Sequence, residues 1–149
     1  MGINRQSSAP HLLEKVNQLC MLLWQGKKEF EQVAATIPDK EFRRTILTLA
    51  QESNQYANEL TSQIHMLGGN STSEMTDEPE HESNTKIFTD EHEILDFCKM
   101  NEKKMVNAYR DILNESYLYE GLRIVIRYQL NGILCAFMQL KLLNSLLFH

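Results

Sequence analysis

Proline and glycine are scarce in this chain, with three and six among 149 residues. Sheets and loop-rich folds use these residues as punctuation. Their scarcity, together with 42% hydrophobic residues, points to an all-α chain able to bury a core. The length suits a single domain spanning 1–149. Cysteine is scarcer still: Cys20, Cys98 and Cys135 are an odd count without a CxxC pair. That argues against a disulfide framework and a zinc site, and leaves reduced thiols in a cytoplasmic protein as the expectation. Long cationic runs are missing too. No basic stretch exceeds two adjacent residues, as at Lys27-Lys28, Arg43-Arg44 and Lys103-Lys104, and the net charge is −5, so no nucleic-acid footprint is expected. The opening MGINRQSSAPH has no apolar core, so no signal peptide is expected. Gln6 stands where a myristoylation motif has Ser or Thr. There is no Gly-rich phosphate loop, no Ser-His-Asp arrangement and no Cys-His pair on one face. His11, His65, His81, His92 and His149 are scattered, and His81 and His92 sit among acids in EPEHES and DEHEIL, which reads as solvated surface.

What is present is helical periodicity. Apolar residues recur at steps of three and four in four segments, about 11–37, 40–67, 90–113 and 117–147. Ser7-Ser8-Ala9-Pro10 is a helix start. Ile37-Pro38-Asp39 ends the first segment and caps the second. Gly68-Gly69 stops the second, and Thr89 caps the third ahead of Asp90 and Glu91. Residues 69–88 are polar, acidic and aperiodic, an expected linker. At about 3.3 Å per residue it is long enough to run the length of a bundle. Two antiparallel hairpins joined by one long crossover make an up-down four-helix bundle of ferritin-like connectivity.

FEQVAATIPDKEFRRTILTLAQESNQYANEL, with a helix closing in IHMLGG, and FCKMNEKKMVNAYRDIL followed by LRIVIRYQL carry a resemblance. They are similar to the two hairpins of a bacterial ferritin-like four-helix-bundle family of unknown function, over about residues 11–147. The resemblance implies the fold and, by analogy alone, a link to stress physiology. It implies no established activity.

Metal-holding ferritin-like bundles need one Glu on each of two helices and Glu-x-x-His on each of the other two. Here Lys27 stands where the first helix should supply a carboxylate. Glu102 is present on the third. The second offers Glu52 and Gln55, and the fourth Gly132 and Cys135. A cation replaces an anion and both histidines are missing, so no metal and no cofactor is expected. Lys27, Glu52, Ser53, Glu102 and Gln129 fall at one level of the inward stripes. Lys27 is expected to pair with Glu102, Glu52 or both in a buried polar layer completed by Gln129, because an unpaired buried charge costs several kcal/mol.

The last segment is apolar nearly all round, more than one core face requires. YQLNGILCAFMQL is too short and polar for a membrane span. The excess predicts an interface through 117–147, with Trp24, Ile126, Leu134, Phe137 and Met138 as candidates and a homodimer or another protein as the expected partner; a purely intramolecular role and membrane-surface contact are the alternatives. The leading expectation is a non-enzymatic structural or interaction protein. The alternative is a metal-binding or redox bundle around Glu52 and Glu102, with Tyr56 or Tyr109. A small-molecule pocket beside Gly132 is the third.

Overall fold

The computed structural model describes the backbone of residues 2–69, 88 and 90–147, and the side chains of these stretches from residue 10 onward. The acidic segment 70–87 with His81, and also Thr89 and His149, lie outside the described residues. The described residues form four helices: α1 (Gly2–Ala34), α2 (Lys40–Met66), α3 (Glu91–Leu113) and α4 (Glu120–Leu147). The described residues hold no strand.

Helix ends follow local chemistry where the chain supplies it. Asp39 caps α2, its carboxylate accepting from the Phe42 amide at 2.8 Å. The Arg43 guanidinium donates to the Ile37 carbonyl at 2.7 Å and covers the end of the preceding turn. At the other end of α2, Gly68 takes φ +87°. Its amide reaches the His65 carbonyl, and the Gly69 amide reaches that of Ile64. This is the Schellman closure, which needs a residue without a Cβ in the left-handed region. Asp90, rather than Thr89, supplies the cap of α3, accepting from the Glu93 amide at 3.0 Å.

Two starts differ from expectation. α1 begins at Gly2, so Pro10 stands inside the helix. The turn before it is already helical, and Pro10 forfeits one backbone hydrogen bond instead of opening the helix. α4 begins at Glu120 rather than 117. Leu118 is buried although it precedes the helix, and the Tyr119 hydroxyl donates to Gln63 Oε1 at 2.8 Å. Tertiary contacts therefore hold this turn open.

Contacts define the bundle. Lys15 in the first half of α1 meets Asp111 in the last turn of α3 and Glu115 just beyond it. The Cys20 thiol donates to the Ala57 carbonyl of α2 at 3.4 Å. Gln129 of α4 meets Tyr56 and Glu59 of α2, and Lys141 of α4 meets Glu102 of α3. Every neighbouring pair is thus antiparallel, and α2 lies diagonal to α3. α2 and α3 run in the same direction, so the chain between them has to return the length of the bundle. For the 27 residues of α2 that is about 40 Å. Phe30, one turn before the end of α1, packs edge-on to Phe97 and Phe137 in the core at 6.0 Å each.

Candidate functional site

Polar side chains do gather at mid-bundle, with a different membership from the one the inward stripes imply. Gln129 is fully buried, as its place on the α4 stripe requires. Its Oε1 accepts from the Tyr109 hydroxyl of α3 at 2.9 Å. Its amide nitrogen donates to Glu59 Oε1 at 2.9 Å and to the Tyr56 carbonyl at 3.2 Å, both on α2. Glu59 in turn accepts from Gln55 at 3.2 Å. One amide therefore ties three helices, with both of its N–H groups and its oxygen engaged.

The expected Lys27 pairing is absent. Lys27 Nζ lies 3.7 Å from Glu31 on its own helix and 5.9 Å from the Trp24 ring centroid, with 28% of its side chain exposed. The flexible stem carries the ammonium to the bundle edge, where a carboxylate one turn away costs no desolvation. Glu102 is engaged from the opposite side, accepting from Lys141 at 2.8 Å. Glu52 is left without a cation: its Oε1 is buried and lacks a hydrogen-bond partner, and burial raises its carboxyl pKa. Ser53 Oγ is likewise buried without a partner. Glu52 and Glu102 stand on diagonal helices and share no partner, and no three His, Cys, Asp or Glu residues cluster among the described residues.

The space beside Gly132 is filled. The Tyr56 hydroxyl lies against the Gly132 backbone so closely that a Cβ there would collide with it. Burial, reinforced by Glu52, pushes the Tyr56 hydroxyl up to about 12. Burial raises that of Tyr109 further still, and pushes the Cys98 thiol up to about 12. Both hydroxyls stay protonated near neutral pH, that of Tyr109 donating to Gln129, and Cys98 stays a thiol. The arrangement is chemically suited to setting helix register. Sequence reasoning missed Glu59 and the Tyr56 carbonyl, and named Tyr109 only for the alternative metal-binding or redox site. The available signal was that Tyr56, Tyr109 and Gln129 share the inward stripes.

The expected interface on α4 needs a larger correction. Ile126 and Phe137 are core residues, fully buried or nearly so. Trp24 and Leu134 are half-buried, packed against the core. Of the five candidates only Met138 is fully outward. The outward face consists instead of Ile124, Tyr128, Met138, Leu142 and Leu146, which are 59–81% exposed, with exposed Asn131 and Cys135 between them. These positions recur at steps of three and four and form one stripe on the helix. By length and composition alone α4 could cross a membrane, with mean hydropathy 1.4 over 18 residues, of which 28% are buried in the bundle.

No protein-family model matches the chain, and no curated protein matches it either.

Proposed function

We propose that this chain is a non-enzymatic four-helix-bundle protein that docks a partner along the outward face of α4. The observation that carries the reading is that α4 has two apolar faces, of which the bundle uses one. Contiguous exposed apolar surface of this extent marks interaction sites. The mid-bundle polar layer supports the same reading, since it couples helix register and offers no group poised for proton transfer or metal binding. The resemblance of both hairpins to a ferritin-like family without established activity is in keeping with it. The reading does not depend on which partner docks.

The test is thermal. A face kept for docking contributes little to the isolated bundle. Leu142→Gln combined with Leu146→Gln should leave the melting temperature within about 2 °C of the parent. A larger fall that does not change with protein concentration would mean the face serves the fold instead.

A further inference from the structure

We infer that the partner of the α4 face is an anionic lipid surface, an inference that rests on the docking reading above. The apolar stripe is one half of the observation, and charge is the other. Along α4 from residue 121 the charged residues are Arg123, Arg127 and Lys141, all cations. At about 100° per residue they fall on one side of the stripe, the side on which Lys141 meets Glu102 of α3. α3 continues the pattern. Exposed Lys99, Lys103 and Arg110 line a shallow groove with Glu102, Val106 and Leu134 of α4.

Glu102 is engaged by Lys141 and Glu120 by Arg123 at 3.7 Å, and exposed Asp96 stands one turn before Lys99, against six cations in the same region. None of the ion pairs between described residues engages Lys99, Lys103, Arg110 or Arg127. A chain of net charge −5 thus carries, beside its most apolar outward face, a strip of cations of which Lys99, Lys103, Arg110 and Arg127 have no ion-pair partner among the described residues. Large apolar side chains flanked by Lys and Arg are the composition of surfaces that lie in a bilayer interface. The apolar residues enter the acyl boundary, and the cations meet lipid phosphates. Each cation near such a surface adds attraction that salt screens.

A second copy of the chain is a poorer match. Packing α4 antiparallel on α4 about a two-fold axis puts the same patch on both sides of the contact. The basic strip of one copy then lies along that of the other.

The experiment is co-sedimentation of the full chain with phosphatidylcholine vesicles, with and without phosphatidylglycerol. The expected result is binding to the anionic vesicles, loss at high salt and little binding to phosphatidylcholine alone. Lys99→Glu with Lys103→Glu should lower the partition coefficient at least ~10-fold. Leu142→Gln should lower it severalfold, and both variants should keep the parent circular dichroism. Cys135, which lies in the stripe, should react more slowly with iodoacetamide on anionic vesicles. Equal binding to both vesicle types, or to neither, overturns the inference. If neither binds and the chain sediments as a dimer that Leu142→Glu dissociates, the docking reading stands with a second copy as the partner. If neither binds and the chain is a monomer, the lipid inference falls, and the docking reading is decided by the thermal test of Leu142→Gln with Leu146→Gln.

Discussion

Replacing Gln129 with Leu would leave the Tyr109 hydroxyl buried without an acceptor and Glu59 Oε1 without its donor. An unsatisfied buried group costs about 1–3 kcal/mol, so Gln129→Leu should lower the melting temperature by about 3–10 °C. Adding Tyr109→Phe should recover part of that loss, because both ends of one bond are then apolar. If the two substitutions simply add, the bond does not contribute. Glu52 makes a pH-dependent prediction. Burial raises its folded-state pKa above the ordinary 4.5. The folded state then binds more protons than the unfolded one between the two pKa values, so this group costs stability as pH rises through its folded value. Below 4.5 the carboxyl is protonated in both states and the cost vanishes. Glu52→Gln should therefore raise the melting temperature at pH 7, by only about 1–3 °C because solvent screens the half-exposed group, with the gap closing below 4.5. Thermal scans across pH check the sign, and a gap that widens toward acid would overturn it. The site was only partly legible at this scale. Gln129 was readable as a buried polar residue. Lys27 was misplaced because a long stem lets the charge leave the layer its Cα belongs to.

Among the elements, boundaries set by a local rule were readable, and those set by packing were not. Asp39, Pro38 and Gly68 carry their chemistry in a few residues. Gly68→Ala forces a Cβ into the left-handed region at φ +87° and should cost about 1 kcal/mol, or roughly 2–4 °C in melting temperature. An unchanged melting temperature would show that the α2 terminus unwinds freely. The starts of α1 and α4 were misjudged because Pro10 and Tyr117 sit in sequences compatible with either side of a boundary. The inward face of α4 was the hardest element to orient. Val125 and Leu143, at helical spacing from Leu122 and Leu140, are only half-buried, whereas Ile126, Leu130 and Phe137 complete the core. A helix apolar on several sides has no strong periodic signal to rotate it.

For the whole molecule, burial divides the three cysteines. Cys20 and Cys98 are buried and Cys135 is exposed. A thiol reagent should modify Cys135 alone in the folded chain and all three cysteines after unfolding. Rapid labelling of Cys20 or Cys98 under native conditions would show that the bundle opens. Four helices, two hairpins and a long return between them followed from the sequence by itself, because the three-four spacing of apolar residues and the turn residues are local properties of the chain. The tertiary structure alone decided that Gln129 joins Tyr109 and Glu59 rather than Lys27 meeting Glu102. It also decided that Ile126 and Phe137 face inward while Ile124, Tyr128 and Leu142 face outward. Those outcomes depend on the rotation and relative height of packed helices, which are set by how Phe30, Phe97 and Phe137 fill one space and by which side chains are long enough to reach water.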